Sequence, residues 1–303
     1  MSELQCLYLR RLREPPGTGK TMLAARLPGI LPDLTEAESV EVTSVHSVAG
    51  TFDAADGLIR RPPFENPHHT ATAAAVIGGG SGMPRPGAAS RAHRGVLFLD
   101  EAPEFGARVL ETLRQPLEHG ELILHRARGT ARYPARFQLV LAANPCPCGR
   151  GSGKGVDCVC TPIARRRYLS RLSGPLLDRI DIRVRVPEVK AAALSAPRTG
   201  PSTAAVAHRV RTARDLAAER WTQTPWRVNA EVSGPWLRDF TQRVDRGIAG
   251  RLDHMRDSGR LSLRGIDRVL KLAWTLADLA GRSAPDGTDL ATAVSLRSGA
   301  DHG

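Results

Sequence analysis

No apolar run in this sequence approaches the roughly 20 residues that a helix needs to cross a bilayer, so no helical membrane span is expected. The first residues, MSELQCLYLRRLR, lack a charged-then-apolar leader with a small-residue cleavage site. A soluble, cytoplasmic protein with no membrane partner is the expectation. Lysine is nearly absent: four Lys stand against 39 Arg, and 31 acidic residues leave a formal net charge of +12. A positive balance suits a polyanion, since each phosphate contact releases counterions. An arginine-heavy composition also follows from GC-rich coding sequence, so charge alone does not choose a partner. Cysteine is scarce too: Cys6 stands alone, and the other four cluster as Cys146, Cys148, Cys158 and Cys160. Without a secretory leader that cluster argues against a disulfide framework and leaves metal ligation or inert thiols.

What is present is globular. Hydrophobic residues make up 41% and charged residues 24% of 303, enough for two domains with a buried core. Residues 14–190 alternate short apolar runs with helical stretches, which predicts an α/β core on a parallel sheet. GVLFLDEAPEF (95–105) and FQLVLAANP (137–145) read as buried strands with polar groups at their C-terminal ends, where ligands sit in such sheets. ELILHRARGTARYPA (121–135) reads as a hairpin around Arg-Gly, and the Gly- and Pro-rich 67–90 as a long loop or insert. Within it, His68 and His69 are assigned to loop packing, since adjacent side chains converge poorly on a metal. Residues 191–204 read as a linker. Beyond them, 205–303 read as a small all-helical domain, with Ile266, Val269, Leu270, Ala273 and Leu276 at three- and four-residue intervals.

PPGTGKT (15–21) is a glycine-rich turn opening a helix. Gly17 and Gly19 free backbone N–H groups to face a pyrophosphate, and the helix N-terminus adds positive charge. Lys20 then reaches the β- and γ-phosphates, and Thr21 offers a hydroxyl to Mg²⁺. The pattern calls for glycine where this chain has Glu14, whose side chain crowds the turn. The segment before it, CLYLRRLR (6–13), carries three arginines, ill-suited to the middle of a two-sided sheet. Residues 1–13 are therefore set apart as atypical, the first strand is counted as missing, and an N-terminal truncation is expected.

Asp100 and Glu101 close an apolar strand 80 residues after Lys20. One carboxylate suits the Mg²⁺ shell, the other the attacking water; a capping Asp is the simpler alternative. Asn144 ends the next strand and is expected to sense the γ-phosphate. Arg179 in SGPLLDRIDI (173–182) is a candidate arginine finger, with a local ion pair to Asp178 or Asp181 as the alternative. Arg264, at the start of a long helix, is a candidate second sensor. Cys146-Pro-Cys148 and Cys158-Val-Cys160 flank nine residues and are candidate ligands for a structural Zn²⁺, although C-x-C is tighter than the usual spacing. Catalytic zinc is not expected, because four cysteines leave no open position. Arg165, Arg166, Arg167 and Arg171 just beyond make either a DNA-facing helix or a solvated face.

With these residues in place the chain strongly resembles the magnesium-chelatase-like AAA+ ATPases of the ComM/YifB family. The phrases that carry the resemblance are PPGTGKTMLAARLPGILP (15–32), ENPHHT (65–70), GVLFLDEAPEF (95–105), LRQPLEHGE (113–121), NPCPCG (144–149), SGPLLDRIDI (173–182) and LSLRGIDRVLKLAWTLADLAG (261–281). The resemblance implies an AAA+ P-loop core followed by a helical lid, use of ATP and Mg²⁺, and a homo-oligomeric ring, usually a hexamer. It also implies DNA as partner, since ComM-type proteins act as branch-migration helicases during uptake of transforming DNA. By matching position, Pro16, Gly17, Thr18, Gly19, Lys20, Thr21 and Met22 hold the nucleotide. Thr21 and Asp100 hold Mg²⁺, and Glu101, Asn144, Arg179 and Arg264 serve hydrolysis. The family normally carries a Lon-like domain ahead of this core. The rival expectations are a chelatase-type motor for metal insertion and an inactive fragment that binds nucleotide weakly or not at all.

Overall fold

Uninterrupted apolar runs build the middle of the sheet. In the computed structural model, which describes residues 6–11, 20–80, 83–126, 129–149, 158–186 and 200–299, every residue of strands β5 (Val96–Leu99) and β8 (Gln138–Ala143) is buried. Such runs suit parallel strands covered on both faces. The sheet has the order β2-β5-β8-β1-β9, with β1 at Cys6–Arg11, β2 at Phe64–Glu65 and β9 at Ile182–Val186. β2, β5, β8 and β1 run parallel. Their C-terminal ends therefore share one edge, which carries Asp100 after β5 and Asn144 after β8.

The strand counted as missing from the sequence is present as β1. It pairs with β8 from Cys6↔Leu139 to Arg10↔Ala143. Arg10 lies opposite the last residue of β8, and Arg11 beyond the last pair. Only Cys6–Leu9 run alongside the buried middle of the sheet.

The predicted hairpin is formed by β6 (Glu121–Arg126) and β7 (Gly129–Pro134), antiparallel throughout. The expected loop at 67–90 is more structured than its composition suggests. It holds helix α3 (Ala73–Ile77), a ribbon of β3 (Gly78–Gly79) and β4 (Arg85–Pro86), and helix α4 (Ala88–Arg91). Glycine permits this compactness: a Cβ on Gly87 would lie 2.5 Å from the backbone nitrogen of Gly78.

By internal packing the chain divides into two units, one of Cys6–Arg179 and Val184–Gly200, the other of Ile180–Arg183 and Pro201–Gly303. Most of the linker expected at 191–204 lies outside the described residues. In the first unit, α1 (Lys20–Arg26) follows the glycine-rich turn and α2 (Glu36–Ala49) packs near α4. Between α5 (Ala107–Thr112), α6 (Arg114–His119), α7 (Pro162–Ser170) and α8 (Gly174–Leu177) the chain passes through the hairpin and β8. The second unit is helical: α9 (Thr203–Arg220), α10 (Gly234–Val244), α11 (Arg246–Asp257), α12 (Leu263–Leu279) and α13 (Gly287–Ser298). Ile266, Val269, Leu270 and Ala273 of α12 are buried as their spacing requires, while Leu276 is half-buried. Among the described residues no helix is long and apolar enough to cross a membrane.

A buried histidine ties the first unit together and sets a pH dependence. His93 is 1% exposed; its Nδ1 accepts from the Arg136 backbone N–H at 3.1 Å, and its Nε2 lies 3.2 Å from a Glu41 carboxylate oxygen. An accepting Nδ1 places the single proton of the neutral ring on Nε2. Burial pushes the His93 pKa down; the Glu41 bond opposes this, and the Arg94 and Arg136 charges add to it. As pH falls through about 6.5 the unfolded chain takes a proton that the folded chain refuses. Stability is therefore present above that pH and lost below it. Thermal unfolding across that range should show a steeper acid loss for the parent than for His93→Gln; equal slopes would refute the assignment.

Candidate nucleotide site

Residues from four separate stretches meet at the C-terminal edge of the sheet. Lys20, the first residue of α1, is 6% exposed and donates from Nζ to Asn144 Oδ1 at 2.9 Å. The Asn144 amide donates to Glu101 Oε1 at 3.3 Å. Thr21 Oγ1 donates to Asp100 Oδ2 at 2.8 Å, and Asp100 Oδ1 accepts from the Glu101 backbone N–H at 2.9 Å. Adjacent parallel strands bring the acids and the amide together, with Leu99 in register with Leu141. The hydroxyl and carboxylate of Thr21 and Asp100 are hard oxygen donors within one bond of each other, a donor set that fits Mg²⁺.

Glu101 has φ +50°, left-handed backbone that is uncommon for a residue with a side chain. Strain of this kind persists where surrounding bonds over-determine it, typically at working sites. Those bonds are the Asp100 side chain at the Glu101 amide, Asn144 at Oε1, and His69 at Oε2.

His69 is the member that sequence reasoning missed. Its Nδ1 lies 3.2 Å from Glu101 Oε2, and its ring packs on His68 with centroids 4.1 Å apart. The preceding strand is pinned: Arg91 of α4 makes a two-pronged bond to Glu65 of β2, at 3.0 and 2.8 Å. The chain thus leaves β2 from a fixed point four residues before His69. The signal available in the sequence was a histidine shortly after a strand edge.

The other expected residues are placed as follows. Pro16, Gly17, Thr18, Gly19 and Glu14 lie outside the described residues. Met22 is exposed on α1. Arg179 is 5% exposed and makes neither of the local pairs considered above; it donates to Glu118 of α6 and, at 2.5 Å, to the Pro175 carbonyl. Arg264 is exposed in the first turn of α12, in the helical unit.

Two residues beyond Asn144 the four cysteines converge. The Sγ atoms of Cys146 and Cys148 are 3.3 Å apart, and each lies 3.6 Å from that of Cys158. With Cys160, all four lie within 4.8 Å of one another. Burial, then the bonds from Cys148 and Cys158, push the Cys146 thiol up to about 12. Helix α7 follows directly, capped by Thr161, whose Oγ1 accepts from the Ala164 N–H at 3.2 Å. Two arginines here have intramolecular work: Arg165 of α7 donates to the Cys160 carbonyl at 3.2 Å, and Arg171, just past the helix, to Glu104 at 2.8 Å.

A family profile described as magnesium chelatase, subunit ChlI, matches residues 11–194, and one for the ChlI C-terminal region matches 200–297. The chain is 55% identical to the Rv2897c protein of Mycobacterium tuberculosis (strain H37Rv) across 94% of its own length and 56% of that protein. It is 42% identical to YifB of Escherichia coli K12 and 41% identical to the competence protein ComM of Haemophilus influenzae, across 93% of this chain and 54% of each. The chain thus spans about half the length of these relatives.

Proposed function

The chain belongs to the magnesium-chelatase-like AAA+ family of YifB and ComM, and from that premise we propose that it hydrolyses ATP to drive movement on branched or single-stranded DNA. The observation that carries the hydrolytic part is the single bonded cluster of Lys20, Thr21, Asp100, Glu101 and Asn144, drawn from stretches up to 124 residues apart. The DNA part rests on the ComM relative's name, which places that protein in competence, and on the net charge of +12.

In this reading the cofactors are ATP, Mg²⁺ and a structural Zn²⁺. Lys20 would exchange Asn144 for phosphate oxygens, and Thr21 and Asp100 would hold the Mg²⁺, whose chemistry would be to offset charge on the phosphates. Asn144, released by Lys20, is then free to orient the attacking water without adding charge. Glu101 accepts the proton of that water. Arg179 enters a neighbouring subunit's site in a hexameric ring, giving up Glu118 to do so, and Arg264 senses the γ-phosphate. A cytoplasmic location follows from a DNA-directed role.

His69 holds Glu101 in place without touching the nucleotide. His69→Ala is expected to slow turnover about tenfold, less than the roughly hundredfold that a full 1 Å misplacement can cost, and to leave ATP affinity within about threefold. His69→Gln, which keeps a donor, should recover part of the loss. Equal loss in both variants, or loss of ATP binding, would count against the positioning role. The function as a whole is tested by phosphate release with and without branched DNA.

A further inference from the structure

We propose that Cys146, Cys148, Cys158 and Cys160 close on one Zn²⁺, and that this ion clips the sensor strand to the arginine-bearing helix α7. The geometry is that of a single tetrahedral ion. Zinc–thiolate bonds of about 2.3 Å put the four sulfurs roughly 3.8 Å apart, and the sulfurs of Cys146, Cys148 and Cys158 are separated by 3.3, 3.6 and 3.6 Å. An iron–sulfur cluster, with bridging sulfides between its irons, holds its cysteines wider apart than a lone ion does. Four cysteines leave no open coordination position, so the ion is structural.

Binding converts four thiols and one Zn²⁺ into a tetrathiolate carrying two negative charges, with four protons released to solvent. The surroundings suit that charge. Cys158 and Cys160 run directly into the N-terminus of the nine-residue α7, whose dipole favours an anion there. Arg165 already binds the Cys160 carbonyl, and Arg166 and Arg167 add positive charge on the same helix. The ion would fasten the two ends of a loop whose intervening residues are glycine-rich.

The position of the clip gives it a role. Cys146 is two residues from Asn144, which bonds both Lys20 and Glu101. The far end of α7 is tied by Arg171 to Glu104 and to the Pro103 carbonyl, in the short helical turn that follows Glu101. With zinc in place α7 is held at both ends to the two elements that carry the hydrolytic residues. Its exposed Arg166 and Arg167 are then rigidly referenced to the nucleotide site. This linkage rests on the nucleotide reading above; the zinc site itself does not.

The full chain, expressed in zinc-supplemented medium and purified under reducing conditions, should carry about one zinc per chain by mass spectrometry of the metal. Cobalt substitution should give the intense thiolate charge-transfer band and the visible bands of a tetrahedral four-sulfur site. Lys20→Ala should carry the same zinc, which separates this outcome from failure of the ATPase reading. Cys158→Ser/Cys160→Ser should lose it. If that variant does not fold, stripping zinc from the parent with a mercurial serves instead. Stripping should speed hydrogen exchange at residues 144–149 and in the first turn of α7 at least tenfold, and leave α12 unchanged. Zinc below a tenth of an equivalent in folded protein, or an octahedral cobalt spectrum, would overturn the site. Unchanged exchange after stripping would overturn the clip.

Discussion

Glu101→Gln is expected to bind MgATP as tightly as the parent and to hydrolyse it about 10²–10⁴-fold more slowly, the usual worth of a positioned general base. The substitution keeps shape and hydrogen-bonding reach, so the Asn144 bond at 3.3 Å has a replacement partner. It removes only the capacity to accept a proton from water. Asp100, Thr21 and Lys20 retain their places, and with them the groups proposed to hold phosphate and Mg²⁺. Binding of a fluorescent ATP analogue and single-turnover hydrolysis separate the two effects. A comparable fall in affinity and turnover would instead make Glu101 a ligand of the bound nucleotide.

Asp278→Ala is expected to destabilise the helical unit by about 3–5 kcal/mol, the cost of leaving a buried cation without its partner. Asp278 on α12 has no side-chain exposure and receives both prongs of the Arg220 guanidinium from the end of α9. Its other bond is from Asn229 at 2.8 Å, and Asn229 in turn bonds Thr275 and accepts from Trp221 at 3.0 Å. The Arg220 guanidinium also lies 4.5 Å from the ring centre of Trp274. That ring and Trp221 belong to a group of stacked and edge-on aromatics with Trp236 and Phe240, centroids 5.1–6.2 Å apart. Losing Asp278 takes the carboxylate from the Arg220 cation and the acceptor from one Asn229 amide N–H together. Replacing both charges, as in Arg220→Met/Asp278→Leu, should recover much of the loss, because an apolar pair has no desolvation penalty to offset. Urea unfolding of the single and double variants measures this directly. A loss below about 1 kcal/mol in the single variant would place the network in the range of solvent-screened pairs.

How much of this was legible depended on whether the cause was local. β5 and β8 were legible because uninterrupted apolar runs have few other places to go, and Asp100 and Asn144 followed from their ends. α12 was legible from three- and four-residue spacing, and the β6–β7 hairpin from its alternation. β1 is hidden from the sequence because its arginines argue locally against a strand, while its pairing is with β8, more than 130 residues later. The insert at 67–90 was taken as loop because a five-residue helix and two-residue strands are too short for periodicity to register. His69 and Glu101 are 32 residues apart, and no local pattern in the sequence marks their meeting. The partner of Arg179 is hidden from the sequence for the same reason: Glu118 lies 61 residues earlier. The cysteines were the opposite case, with close spacing that already implied convergence, which the sulfur separations bear out.

The central claim is that the bonded cluster at the end of the sheet turns over ATP in the service of DNA. Steady-state phosphate release by the full chain tests it most directly, measured with Mg²⁺, with chelator, and with branched, single-stranded and no DNA. The account predicts saturable, Mg²⁺-dependent release that rises several-fold with branched or single-stranded DNA and disappears in Glu101→Gln. Release no greater than that of Glu101→Gln would contradict the hydrolytic assignment, and robust release indifferent to DNA would contradict the motor.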